Sequence, residues 1–252
     1  AKAAKADVIP VDIGIASDIS VKGLRSKKIV YGTQNMLYTP AMTKEQTLQA
    51  IQVGIDLVAE LKQEGYRLIA TGEMGIGNTT TSSAIASVLL KAPVETVTGK
   101  GAGLSSDGLR HKVHVIEQAI KNHKPNCDDP MDVLSKVGGL DIAGMTGLFL
   151  GGAIHRVPVV IDGFVSGAAA LLAVNICPKV QPYLIPSHVS KEPAAAMILE
   201  ALRLKPLIHC ELCLGEGTGA VAVFPLLEMA ADIYQTMSTF EQFDMEPYQP
   251  LT

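Results

Sequence analysis

Gly72-Glu73-Met74-Gly75-Ile76-Gly77-Asn78-Thr79 lies between an apolar run, Arg67 to Ala70, that reads as a strand, and a small-residue run, Thr80 to Leu90, that reads as a helix. A strand emptying through glycines into a helix is the βα unit of a parallel sheet. Glycines let backbone amides approach an anion, and the helix start offers unpaired N–H groups and a positive dipole end. Phosphate is the natural occupant of such a loop. The common phosphate loops fit badly, because no Lys-Ser/Thr pair follows as in a P-loop and Gly75-Ile76-Gly77 is not completed as a dinucleotide fingerprint. A tight turn without chemistry would explain the glycines but not the carboxylate of Glu73.

The same unit repeats along the chain. Val8 to Ile15 reads as a strand; Thr43-Lys44-Glu45-Gln46 is a capping-box pattern, followed by Leu48, Ile51, Ile55, Val58 and Leu61 at helical spacing until Gly65. After the connector Gly99 to Gly103, Ser106 or Asp107 is expected to cap a helix bearing Leu109, Val113, Ile116 and Ile120. A helical region from about Pro130 to Ile154 is broken at Gly138-Gly139 and leads into the strand Val157 to Ile161, which ends at Asp162-Gly163. A strand near Tyr183 to Ile185 ends at Ser187-His188-Val189-Ser190, a helix spans about Glu192 to Leu202, and Leu214-Gly215-Glu216-Gly217-Thr218-Gly219 opens a C-terminal helix running to about Met237. Four loops thus collect at the carboxyl edge of one sheet, where open α/β folds bind ligands. The fold class is α/β: a Rossmann-like three-layer domain with a mainly parallel sheet and a C-terminal helical region. Residues 1–252 are expected to form one domain, the helical part from about 219 to 252 joining a small lobe.

Composition excludes several functions. The chain has 252 residues, 48% of them hydrophobic, with a formal net charge of −4 and no tryptophan. That is enough for one substantial core, and it offers no basic footprint for nucleic acid or an anionic membrane. No stretch has membrane-spanning length without Gly, Pro or charge, and no leader pattern is present, so a cytoplasmic protein is expected. The cysteines Cys127, Cys177, Cys210 and Cys213 are expected to be reduced core residues, since His209-Cys210-Glu211-Leu212-Cys213 lacks a second ligand pair for zinc. The histidines form no metal triad at recognisable spacing, and no cofactor is expected.

Two glycine-flanked glutamates, Glu73 and Glu216, with a lysine available at Lys112, suit acid–base or oxocarbenium chemistry on a phosphorylated sugar. Asp162 is expected either to orient a ribose or a neighbouring donor or to cap the next helix, and His188 is assigned no catalysis. From residue types alone the reading stops at a phosphosugar or nucleotide transferase.

Taken together, Asn35-Met36, Pro40-Ala41-Met42-Thr43, the Gly72 to Thr80 string, Val160-Ile161-Asp162-Gly163, Ser187-His188-Val189-Ser190 and Leu214-Gly215-Glu216-Gly217-Thr218-Gly219-Ala220 resemble the nicotinate-nucleotide:dimethylbenzimidazole phosphoribosyltransferase family, in order over nearly the whole chain. The resemblance implies transfer of 5-phosphoribosyl from nicotinate mononucleotide to 5,6-dimethylbenzimidazole, giving nicotinate and α-ribazole 5'-phosphate for the lower ligand of cobalamin, by a homodimer without metal or organic cofactor. It implies Glu216 as general base and Glu73 at the ribose or the oxocarbenium centre. Gly75, Gly77, Asn78, Asp162 and Gly215 are expected at the substrate, and Lys112 and Ser190 at its phosphate. Family members carry a further segment ahead of Val11-Asp12-Ile13-Gly14 that helps build a helical lobe and the aromatic-base pocket, and this sequence is read as lacking it. Alternatives are another aromatic acceptor such as a purine or phenol, a nucleotide hydrolase, or a nucleotide-binding protein without activity.

Overall fold

The computed structural model describes residues 1–249. The end of the expected C-terminal region, residues 250–252, lies outside them. The first strands, β1 (Val11–Asp12) and β2 (Arg25–Ser26), form a separate parallel pair, so the expected strand from Val8 to Ile15 is reduced to two residues outside the main sheet. Asp12 ends it, since its carboxylate accepts the N–H groups of Gly14 and Ile15 and pairs with Lys28 at 2.9 Å.

The long helix α1 (Lys44–Gln63) starts at a complete capping box: Thr43 Oγ1 accepts Gln46 N–H at 3.1 Å while Gln46 Oε1 accepts Thr43 N–H at 2.9 Å. Then come β3 (Ile69–Ala70), α2 (Asn78–Leu90), α3 (Val94–Val97) and α4 (Ser106–His123). The cap of α4 is Ser105, one residue before the expected position; its side chain accepts Gly108 N–H at 3.1 Å. The predicted helical region splits at its glycines into α5 (Pro130–Val137) and α6 (Leu140–His155). Beyond these lie β4 (Val159–Ile161), α7 (Phe164–Ile176), β5 (Leu184–Pro186) and α8 (Ala194–Ala201). The expected single C-terminal helix is two, α9 (Thr218–Ala222) and α10 (Phe224–Thr236), because Pro225 stands in the first turn of the second and cannot continue the first.

The main sheet is parallel in the order β3-β4-β5, with Ile69 opposite Val159 and Val159 opposite Leu184. A parallel bridge between His188 and Ile208 carries the edge one step further. All of β4 is buried, as is every residue of α7 from Phe164 to Ala173. β4 therefore reads as an unbroken apolar run rather than an alternating one.

Helices α1 and α6 meet backbone to backbone. A Cβ built on Gly54 would fall 2.1 Å from Gly144 O, and one on Gly147 would fall 2.0 Å from Ile51 O. Leu48, assigned to the core by spacing, is 58% exposed, whereas Gly54 is buried at the crossing. Small residues let these helix axes approach closely, and the heavier core of Phe149, Leu134, Ile142 and Leu172 gathers around them. Cys127 and Cys177 are half-buried, but Cys210 and Cys213 are exposed, against the expectation of four core thiols; all four are free. In α10 no residue is buried; Leu226, Met229 and Ile233, and Met237 just beyond its end, all face outward.

Candidate active site

The strand ends deliver the predicted loops to one edge. At the end of β4, Ser166 Oγ accepts Asp162 N–H at 3.1 Å and shares a 2.6 Å hydrogen bond with Thr71 Oγ1, which ties the start of the Glu73 loop to the start of α7. Asp162 is 4% exposed. Both its oxygens accept backbone donors from a distant segment: Gly217 N–H at 3.1 Å and Ala220 N–H at 2.9 Å. The carboxylate thus caps α9, where unpaired N–H groups and the helix dipole favour a negative charge. Asp162 therefore caps not the next helix, as expected, but one more than fifty residues away in the chain.

Clasped in this way, the Glu216 loop lies directly on the Glu73 loop. A Cβ on Gly72 would stand 2.9 Å from the carbonyl of Glu216 and from Gly217 N, and one on Gly217 would stand 3.0 Å from Thr71 O. Only glycine permits this approach at Gly72. Glu216 itself is exposed and holds φ +64°, with Gly217 at +81°. A left-handed backbone on a non-glycine residue is a strained conformation of the kind concentrated at functional sites.

Glu73 is built differently. Its Oε2 accepts Gly75 N–H at 3.2 Å and a short hydrogen bond from Asn78 Nδ2, while its Oε1 lies 3.3 Å from where a Gly215 Cβ would stand. The same Asn78 nitrogen also donates to Asp141 Oδ2 at 2.8 Å. Burial pushes the Glu73 carboxyl above its ordinary range; the donors from Asn78 and Gly75 oppose that, while the charges of Asp141 and Asp162 add to it. Asn78 is buried and spends its side chain on these two acids, and Gly75 is hemmed in by Asp141. Gly77, at φ +80°, turns the chain into α2 with open space beside it. Asp141, in the first turn of α6, is the partner that sequence reasoning missed. Its only local signal is a carboxylate at a helix start after the Gly138-Gly139 break.

Lys112 is 6% exposed and donates to Thr79 Oγ1 at 2.9 Å and Gly99 O at 3.0 Å, which places its ammonium against the first turn of α2. Burial lowers its proton affinity and the charge of Glu192 opposes that. Ser190 is half-buried, its Oγ accepting Glu192 N–H at 3.3 Å, and it lines a small cleft with Asp162, Gly163 and His188. His188 is a structural residue: Nδ1 is 3.0 Å from Ser187 Oγ, and the ring lies under Gly219, where a Cβ would come within 2.0 Å of Nδ1. Burial lowers its proton affinity against the charge of Asp162. Among the described residues no three His, Cys, Asp or Glu side chains converge as metal ligands, and no helix is long and apolar enough to cross a membrane. A larger groove of about 520 Å³, along α8 and the Arg203 to Pro206 turn, contains none of the predicted site residues.

Comparison with known proteins identifies the family. A family model described as phosphoribosyltransferase matches residues 1–244. The nicotinate-nucleotide–dimethylbenzimidazole phosphoribosyltransferase of Clostridium acetobutylicum is 52% identical over 98% of this chain and 70% of its own length. The enzyme of the same name from Acetivibrio thermocellus is 46% identical over 99% of the chain and 71% of its own. The crystal structure of the Thermus thermophilus enzyme superposes with a TM-score of 0.89 at 38% identity, covering 98% of this chain and 73% of that one. By the extent of these matches, the chain belongs to the nicotinate-nucleotide–dimethylbenzimidazole phosphoribosyltransferase family.

Proposed function

We propose that the chain transfers 5-phosphoribosyl from nicotinate mononucleotide to 5,6-dimethylbenzimidazole, with Glu216 as general base and Glu73 at the anomeric centre. The activity is that of its family. The observation that supports the residue roles is the contact of two acid-bearing loops, Gly72 on Glu216 and Glu73 beside Gly215, at the carboxyl edge of the parallel sheet.

The bond from C1' to the pyridinium nitrogen breaks, and its electron pair leaves with nicotinate as a neutral pyridine nitrogen, so the leaving group needs little acid help. One benzimidazole nitrogen forms the new bond to C1', and the proton on the other nitrogen passes to Glu216. Exposure leaves the Glu216 side chain free to reach an incoming ring. Glu73, fixed from one side by Asn78 and Gly75, offers negative charge where positive charge develops on the sugar. Lys112 and Ser190 hold the phosphate; Gly75, Gly77 and Gly215 give the ribosyl group access to backbone, and Asn78 and Asp162 act by fixing Glu73 and the Glu216 loop. We further assign the chain to a cytoplasmic homodimer and α10 to a small lobe; the outward apolar residues of α10 support its having a partner.

Incubation with nicotinate mononucleotide, with and without 5,6-dimethylbenzimidazole, tests the reaction by chromatography of nicotinate and α-ribazole phosphate. Release of both only when acceptor is present is expected. Nicotinate release without acceptor would instead make the chain a hydrolase.

A further inference from the structure

The Gly99 to Gly103 connector brings a second carboxylate to the proposed phosphate site. Gly101, at φ +55°, donates its N–H to Glu192 Oε1 at 3.0 Å. The other oxygen, Oε2, is buried with no donor among the described residues, packed so close to Gly99 that a Cβ there would fall 2.1 Å away. Gly99 O accepts from Lys112 Nζ, Thr79 Oγ1 lies 2.8 Å from a Gly101 Cβ position, and Ser190 Oγ takes the Glu192 N–H. One acidic side chain therefore sits beside the lysine and the serine assigned to the phosphate and takes up a glycine N–H next to them.

A carboxylate is a poor permanent lodger there. One oxygen is satisfied and the other carries the cost of a buried acceptor without a donor. Beside an arriving phosphate it would add repulsion between like charges in a partly desolvated place. Glu192 stands one residue ahead of Pro193, the N-cap residue of α8, and is only half-buried, so rotation about its side-chain bonds can carry the carboxylate outward.

We propose that the Glu192 carboxylate is an internal competitor of the substrate's phosphate: it holds the Gly101 N–H beside Lys112 and gives it up when the phosphoribosyl donor binds, thereby setting donor affinity. This rests on the assignment of Lys112 and Ser190 to the phosphate. Because only a phosphorylated donor has to displace the carboxylate, the competition lowers the affinity for a 5-phosphorylated ribosyl donor and leaves that for the unphosphorylated nucleoside unchanged.

The test is calorimetric titration of Glu192→Gln and Glu192→Ala with inorganic phosphate and ribose 5-phosphate, beside KM and kcat for nicotinate mononucleotide. Both substitutions are expected to tighten phosphate about tenfold, equivalent to about 1.4 kcal/mol, and to lower the nucleotide KM in parallel while the KM for dimethylbenzimidazole stays put. If Glu192 instead holds the connector in place, Glu192→Ala will bind phosphate more weakly and Glu192→Gln will match the parent; that result, or unchanged affinity in both, overturns the proposal. Should the alanine variant fail to fold, the isosteric glutamine variant carries the test alone. Absence of transfer by the unaltered protein, with phosphate affinity still rising on neutralising Glu192, would refute the activity and leave the competitor standing.

Discussion

The two acid loops lie against each other, yet they hold their glutamates in opposite ways. Glu73 is half-buried, tied to Gly75 and Asn78, and backed through Asn78 by Asp141. Glu216 is exposed, and only its backbone is constrained, by the Asp162 clasp and the left-handed φ. A carboxylate that stabilises a developing cation works best when prearranged, so that nothing reorganises as charge appears. One that collects a proton and then releases it must move and meet water. The difference in support fits the two roles proposed for these glutamates.

The harshest way to break this comparison is Glu216→Gln, which keeps size and removes the base. We expect kcat to fall about 10²–10⁴-fold with nicotinate mononucleotide still binding, read by steady-state kinetics and calorimetry; near-normal turnover would reverse the roles of the two loops. Next comes Gly72→Ala, which drives a methyl into the Glu216 carbonyl and parts the loops. A misplacement of this kind is expected to cost about 10²-fold in kcat/KM, and a kinetically silent variant would show the contact to be incidental.

Asp141→Asn sharpens the contrast from the other side. It weakens the support of Asn78, a bond of the charged kind worth about 1.5–3 kcal/mol, so kcat should drop about tenfold. It also removes a charge that raises the Glu73 carboxyl, so the acid limb of the kcat profile should move to lower pH. A limb that stays in place would detach Asp141 from Glu73.

The smallest effect is on stability. Because folding raises the Glu73 proton affinity through burial, the stability linked to this group is present below the ordinary carboxylate range and is lost as pH rises through the elevated folded value. Glu73→Gln should accordingly raise Tm by about 2–4 °C at pH 8, with the gain vanishing near pH 4. An equal gain at both pH values would point to packing rather than charge.

Legibility in the sequence followed the distance between partners. The Glu73 and Glu216 loops could be read because glycine, carboxylate and helix start are neighbours in the chain, and the α1 capping box because its members lie three apart. The capping target of Asp162 could not, since the donors are at Gly217 and Ala220. Asp141 and Glu192 were invisible for the same reason: each matters through a residue from another βα unit. Helix spacing misassigned Leu48 and overlooked Gly54, because a periodic pattern counts apolar side chains while the α1–α6 crossing depends on a side chain's absence. Pro225 was legible and its break was passed over; the cap of α4 was missed by one residue because three candidate caps stand in a row at Ser105-Ser106-Asp107.

The Asp162 clasp also fixes what the proposed base is measured from. Glu216 takes its position from the end of β4 and not from the chain that leads up to it. Lengthening or rewriting the exposed stretch from about 209 to 213 should therefore leave the base where it is, whereas a one-residue slip of Val159–Ile161 against its neighbours would carry it away even with its own loop unaltered. The position of Glu216 is thus set less by the segment that leads up to it than by a strand from another βα unit.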